Sequence, residues 1–259
     1  MRDPALLHEV MRLAETAGER ILCIYETGCP VEEKADHSPV TIADREAEAI
    51  ILPALARLLP GVPIVSEERM AAGDRPVVGA RFWLVDPLDG TKEFINRIGE
   101  FTVNIGLIEA GRPVLGVVHI PVAGETYASA GPGPAVRRSR SGAERPVAAR
   151  TPGADGLVVL VSRFHRNERR LEAFLNERTA ASGETVKARK VAGSAIKLCL
   201  IAAGEADLYP RLGPTMEWDT AAGHAILLAA GGAVETLDGA PLGYGKPGFV
   251  NPDFVARGR

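Results

Sequence analysis

The sequence predicts an α/β protein with an α+β N-terminal lobe and an α/β C-terminal lobe. Apolar residues recur at three- and four-residue steps between positions 4 and 59, the period of helices that bury one face. Three β-like segments follow, joined by "EAGRP" and "PVAGE", and Gly plus Pro in such short links suit an antiparallel meander. Beyond residue 155, strand-like and helix-like segments alternate, as in βαβ units. With 259 residues, 46% of them hydrophobic and 24% charged, the chain can bury a large core and is too apolar for wholesale disorder.

Leu6, Val10, Leu13, Ala17, Ile21 and Ile24 form one stripe, which predicts a helix over 4–26. A second helix is expected from Thr41 to about Leu59, with Pro53 predicting a kink or break because it removes a hydrogen bond. Val62–Ser66 reads as a short strand ending in "SEE". Phe82–Val85 reads as a strand that is apolar throughout, hence central and covered on both faces. The meander comprises 101–109, 114–121 and 125–130. Residues 131–155, rich in Gly, Pro, Arg and Ala, suggest a boundary between lobes 1–135 and 150–259, with 136–149 as linker. Then come "GLVVLVS", a helix near 167–180, "TVKARKV", a helix from Ser194, "ADLYP" and a helix from about Glu217. No internal repeat is visible.

A net charge of −3 and a pI near 6.0 give no polyanion-binding signature. The arginines gathered between Arg137 and Arg150 lie among Gly, Pro and Ser without aromatics, so a solvated loop is expected and a nucleic-acid polymer is not a partner. Cys23, Cys29 and Cys199 lack metal-ligand spacing. Cys23 and Cys199 sit in apolar helical patterns and read as buried free thiols. Without a signal-peptide core or a membrane-length apolar run, a cytoplasmic protein with no membrane insertion is expected, free or peripheral to a membrane. A Rossmann-type oxidoreductase is excluded for want of G-x-G-x-x-G after a first strand.

The stretch "FWLVDPLDGTKEF", residues 82–94, is where chemistry is expected. Asp86 ends a buried strand, Pro87 stiffens the turn, and Asp89 precedes Gly90 and Thr91 at a helix start. The C-terminal edge of an α/β sheet is a usual ligand site. Carboxylates there, beside Gly90 and Thr91 N–H groups that can face an anion, suit Mg²⁺ and a phosphate. Glu67 and Glu68 end another strand, and Asp219 opens the helix "EWDTAAGHAIL", where Trp218 can pack beside it.

"SEE", "DPLDGT" and "EWDTAAGHAIL", in that order, resemble the lithium-sensitive, Mg²⁺-dependent phosphatases. That superfamily includes inositol monophosphatase, fructose-1,6-bisphosphatase and the 3′(2′),5′-bisphosphate nucleotidases. The resemblance spans nearly the whole chain, from "KADHSPVTIADREAEAII" to "WDTAAGHAILLAAGG". It implies a layered αβαβα sandwich, a phosphomonoesterase using two or three Mg²⁺ ions, inhibition by Li⁺ and Ca²⁺, and a monomer or homodimer. "DGTKEFI", "GSAIKLCLIAAGEADLYPR" and "PTMEWDTAAGHAIL" resemble the CysQ-type nucleotidases, which cleave the 3′-phosphate of 3′-phosphoadenosine 5′-phosphate. Inositol monophosphatase is the alternative, and a silent nucleotide- or metal-binding sensor the alternative of another class.

The resemblance implies that Glu67, Asp86, Asp89, Asp219 and the Leu88 carbonyl ligate metal, with Asp86 bridging two ions. Glu67 would orient the attacking water, and Asp44 would accept a hydrogen bond from the Thr91 hydroxyl, which passes a proton along. The plain reading of Asp44 is a helix-capping acid. For the substrate, Gly90, Thr91, Gly193, Ser194, Lys197, Arg211 and His165 are the candidates. Gly193 and Ser194 would offer free N–H groups at a helix start, and Lys197 and Arg211 would hold phosphate. Their plain readings are a helix cap for Ser194, a surface lysine for Lys197, and solvated loop residues for Arg211 and His165. Asp36, beside Lys34 in a lid-like loop, is a minor candidate, and His224 is expected in the core.

Overall fold

The computed structural model describes residues 4–28, 31–33, 39–131, 133–164 and 167–259. In chain order it begins with helix α1 (Pro4–Thr27), the hairpin β1 (Val31–Glu33) and β2 (Pro39–Thr41), and helix α2 (Ile42–Leu58). Strand β3 (Ile64–Ser66), helix α3 (Glu67–Ala71), strand β4 (Arg81–Asp89) and helix α4 (Thr91–Ile95) come next. Antiparallel strands β5 (Thr102–Glu109), β6 (Arg112–Ile120), β7 (Glu125–Ala130), β8 (Ala135–Arg138) and β9 (Glu144–Val147) complete this half. The C-terminal half contains β10 (Leu157–Ser162), α5 (Glu168–Ser182), β11 (Val186–Ala192), α6 (Ile196–Ala202) and β12 (Leu208–Arg211). It ends with β13 (Thr215–Met216), α7 (Glu217–Ala229), β14 (Ala233–Thr236), β15 (Val250–Asn251) and β16 (Phe254–Arg257).

Among the described residues the larger sheet has the order β3-β4-β5-β6-β7-β8-β9, antiparallel except for the β3–β4 pair. The smaller sheet has the order β11-β10-β12-β16-β14, with β10 parallel to both its neighbours. Helices α1 and α2 bury Val10, Ala17, Ile21, Ala47 and Ile51 against one face of the larger sheet. On its other face α7 lies across β4, β5 and β6, with α6 beside it. Residues alternate along β10: Val158 and Leu160 pack with α6 and α7, while Leu157, Val159 and Val161 pack with Leu171 and Leu175 of α5. The layers therefore run α, β, α, β, α, the architecture that the resemblance implied.

Glycine sets how closely the middle layer approaches. Gly106 of β5 and Gly116 of β6 stand opposite each other. A Cβ at Gly116 would fall 2.1 Å from the Ala222 carbonyl oxygen, and one at Gly106 would fall 2.8 Å from the Ala221 Cβ. The two bare positions form a trough into which the Ala221–Ala222 face of α7 sinks.

Several elements differ from the sequence reading. Pro53 lies within α2, which continues to Leu58. β4 runs through Pro87 to Asp89 because a register shift between Asp86 and Asp89 places the proline in a bulge, where no ladder hydrogen bond is required of it. The span 136–149, expected as linker, contains most of β8 and all of β9, which extend the larger sheet. Cys199 is buried as expected, whereas Cys23 lies on the exposed face of α1.

Candidate active site

The bulge in β4 does more than admit a proline. It places Asp86 and Asp89 at the sheet's carboxyl edge, and the Asp86 carboxylate accepts the Leu88 N–H at 3.1 Å. Asp86 is 2% exposed and Leu88 1%, so this acid stands at the end of a strand buried on both faces. Gly90 follows at φ 95°, left-handed, and caps α4. The parallel neighbour β3 ends at Ser66, whose hydroxyl donates to Glu48 of α2, and Glu67 opens α3 there. From the middle layer, α7 contributes Asp219, whose carboxylate caps its own helix by accepting the Met216 N–H at 2.8 Å.

Together these elements bring oxygen atoms of Glu67, Asp86 and Asp219 within 4.8 Å of one another. Carboxylates at such spacing repel. The Asp219 carboxyl is pushed well above its ordinary pKa, first by burial and then by the charges of Asp89 and Glu67. Burial also raises Asp89, against the opposing effects of Lys197, the Ala195 N–H and the Asn104 amide. These hard oxygens could hold a divalent cation. Asp89 stands apart from the tight trio: one of its oxygens accepts from Ala195 N at 2.7 Å and from Asn104 Nδ2 at 3.2 Å.

Asp44 meets both of its sequence readings. One oxygen accepts from the backbone and hydroxyl of Thr41 at 2.8 and 2.7 Å, capping α2, while the other accepts the Thr91 hydroxyl at 3.3 Å. That hydroxyl also lies 3.4 Å from the Leu88 carbonyl.

Glu67, Asp86, Asp89 and Asp219 line a cleft of about 810 Å³ between the two sheets' ends, shared with Gly90, Thr91, Ser194, Lys197 and Arg211. The plain readings of the two cations fail: Lys197 is 5% exposed and Arg211 8%. Lys197 Nζ donates to the carbonyls of Ser194 (2.7 Å) and Ala192 (3.3 Å) and sits over the Tyr209 ring. Arg211 donates to Ser162 and to the Pro214 carbonyl, and its Nε, though buried, has no hydrogen-bond partner among the described residues. Such an orphan donor in a cleft wall suits an anion.

Gly193 departs from expectation. Its N–H is taken by Glu100 at 2.7 Å, so it offers no free donor, and α6 begins only at Ile196. Ser194 is not a cap; its hydroxyl is buried without a partner among the described residues. Trp218 lines the cleft beside Asp219, and His224 is a core histidine bonded to the Tyr244 hydroxyl, with its pKa lowered by burial to about 3. His165, Lys34, Asp36 and Cys29 lie outside the described residues. The sequence reading missed Glu93, buried in the cleft wall, and the pair Glu100–Arg163. Glu93 lies inside the "DGTKEF" stretch already singled out. Arg163 and Glu100 carry no motif that could mark them.

Residues 5–256 match the sequence model of the inositol monophosphatase family. The chain belongs to that family. Within it, the chain is 44% identical over 252 residues to the 3′(2′),5′-bisphosphate nucleotidase CysQ of Escherichia coli O157:H7, covering 96% of this chain and 98% of that one. The CysQ of Buchnera aphidicola is 40% identical, at 97% and 93% coverage. The crystal structure of CysQ from Bacteroides thetaiotaomicron superposes with a TM-score of 0.81 at 38% identity, over 97% of this chain and 96% of that one. Members of this family are metal-dependent phosphatases, which accords with a cleft that joins clustered carboxylates to buried cations. Among the described residues no helix is long and apolar enough to cross a membrane.

Proposed function

We propose that the protein is a Mg²⁺-dependent 3′(2′),5′-bisphosphate nucleotidase that converts adenosine 3′,5′-bisphosphate to AMP and phosphate. The observation that carries this reading is the convergence of Glu67, Asp86 and Asp219 in a cleft that is also lined by the buried cations Lys197 and Arg211. A substrate with two phosphates can engage both the acidic cluster and the cations, whereas an inositol monophosphate has only one phosphate to offer. The similarity to nucleotidases named CysQ supports the same choice.

In this reading Glu67, Asp86, Asp219, Asp89 and the Leu88 carbonyl hold the cations. Bound Mg²⁺ supplies Lewis acidity that neutralises phosphate charge and activates water at neutral pH. The protein's own part is orientation. Asp44, fixed by Thr41, accepts a hydrogen bond from the Thr91 hydroxyl, so a Thr91 lone pair is left to accept a hydrogen bond from the attacking water. Glu67, at the start of α3, lines the same cleft as Thr91. Lys197, the unpartnered Arg211 Nε–H and the Ser194 hydroxyl bind the second phosphate and the sugar, and Gly90, which lines the cleft, flanks the reacting phosphate.

Phosphate release from adenosine 3′,5′-bisphosphate and from inositol 1-phosphate, with and without Mg²⁺, tests the proposal. The expected result is Mg²⁺-dependent turnover favouring the nucleotide. Preference for the inositol ester would move the substrate assignment, and turnover of neither would leave a binding module.

A further inference from the structure

The turn 193–195 reaches the cleft from the C-terminal half, and two carboxylates of the N-terminal half grip it. Gly193 N–H donates to Glu100 Oε2 at 2.7 Å, and two residues on Ala195 N–H donates to Asp89 at 2.7 Å. Between these anchors Ser194 has φ 41°, in the left-handed region that a serine seldom occupies. Strain of this kind persists only where surrounding contacts over-determine the backbone. Glu100 is itself fixed by Arg163 of the turn after β10, whose Nη2 and Nε donate to its two oxygens at 2.8 and 3.2 Å. The fit leaves no spare volume: a Cβ at Gly193 would come 2.7 Å from the Glu100 carbonyl oxygen and 2.8 Å from the Glu93 carboxylate.

What the strained residue presents is chemical. The Ser194 carbonyl receives Lys197 Nζ, and the Ser194 hydroxyl lies buried and unpartnered among the described residues, both on the cleft wall. Glu100 does not line the cleft. It acts through the backbone.

We infer that Glu100 is a positioning residue: by holding Gly193 N–H, with Arg163 as its brace, it keeps Ser194 in the strained conformation that aims Ser194 and Lys197 at the substrate. Without that anchor the turn relaxes toward negative φ, and the carbonyl that seats Lys197 rotates with it. The role of the turn in substrate binding rests on the nucleotidase reading; the gripping of the turn does not.

A double-mutant cycle with a second, substrate-free readout tests the inference. Hydrogen exchange of the 193 and 195 amides is measured on the unliganded full-length protein, and KM and kcat on adenosine 3′,5′-bisphosphate. Glu100→Ala is expected to speed exchange of these amides by about tenfold or more and to raise KM by about tenfold, the order set by one strained residue. The same change in kcat should stay within about threefold, since no reacting group is touched. In a Ser194→Gly background, where glycine takes φ 41° freely, Glu100→Ala should raise KM by no more than about threefold. Glu100→Gln, which keeps an acceptor for Gly193, should fall between wild type and alanine, and it serves if the alanine variant does not fold. Unchanged exchange, or an equal KM penalty in both backgrounds, would overturn the inference. Absence of nucleotide turnover in the wild type would instead sink the substrate reading, and the exchange comparison would still decide whether Glu100 grips the turn.

Discussion

Asp44 shows how one carboxylate can serve the fold and the chemistry at once, and how the two can be separated. Two of its hydrogen bonds, from the Thr41 backbone and hydroxyl, start α2; the third comes from Thr91, 47 positions away. Thr91→Val removes only the third. It should lower kcat by about 10²–10⁴-fold, the range for a lost proton-handling group, while the urea midpoint barely moves. Asp44→Asn should lower kcat and in addition weaken the cap by about 1 kcal/mol. A Thr91→Val enzyme with near-normal kcat would remove the pair from the mechanism. On the substrate side, Arg211→Ala deletes a buried guanidinium whose Nε has no partner among the described residues. If that Nε–H binds phosphate, KM for the nucleotide should rise by about tenfold or more, the worth of a charge-assisted hydrogen bond. Hydrolysis of a small phosphomonoester without a second phosphate, measured alongside, should change far less. Legibility at this scale followed chemistry. Glu67, Asp86, Asp89 and Asp219 stand in motifs whose family resemblance implied a shared role, whereas Glu100 and Arg163 are ordinary charged residues that only the fold pairs. The strain at Ser194 leaves no trace in its residue type.

Among the elements, α7 decides whether a site exists, because Asp219 reaches Glu67 and Asp86 only if this helix lies deep against the larger sheet. Gly116 permits that depth, since the position of its missing Cβ is already occupied by the Ala222 backbone. Gly116→Ala must push the helix outward. Overpacking of this kind destabilises by about 1–3 kcal/mol, and more where backbone is the obstacle. Calorimetry should show that loss, and Mn²⁺ titration should show weakened cation binding in whatever folded protein remains. A folded Gly116→Ala protein with unchanged cation affinity would show that α7 needs no trough. The helices and central strands were legible because each buries a periodic apolar face; α1 and β4 are examples. β8 and β9 were not. As outer strands of the larger sheet they carry Arg137, Arg138, Glu144 and Arg145, so their composition matches that of a solvated connection. At Pro53 the break that the sequence allowed does not occur: tertiary burial of Ala47, Ile51 and Leu55 holds α2 together through a residue that local propensity disfavours.

For the molecule as a whole, the acidic cluster is a built-in instability that a cation can relieve, and the sign of its pH dependence follows from the pKa directions. Asp219 and Asp89 have folded-state values above their unfolded ones. Such a group favours folding while it holds its proton, and that contribution is lost as pH rises from the unfolded carboxylate value through the raised folded value. His119 and His224 run the other way. Burial lowers them to about 4 and about 3, so the stability they contribute is present above the ordinary histidine value and is lost as pH falls below it. A plain pH–stability curve mixes the two trends, but the gain on adding Mg²⁺ cancels the histidines, which lie outside the cation cluster. That gain should be large at pH 7.5, about 2.7 kcal/mol at a hundredfold excess over Kd, or roughly 5–10 °C for a chain of this size. Near pH 5 it should shrink, because protons then occupy the carboxyls that cations must displace. Asp219→Asn should raise the melting temperature of the metal-free protein at pH 7.5 while abolishing turnover, since the amide keeps the Met216 cap and removes one of the repelling charges. Thermal unfolding with and without Mg²⁺ at the two pH values decides the matter: an equal gain at both, or an Asp219→Asn protein that melts lower than its parent, would mean that carboxylate repulsion is not what the cation relieves.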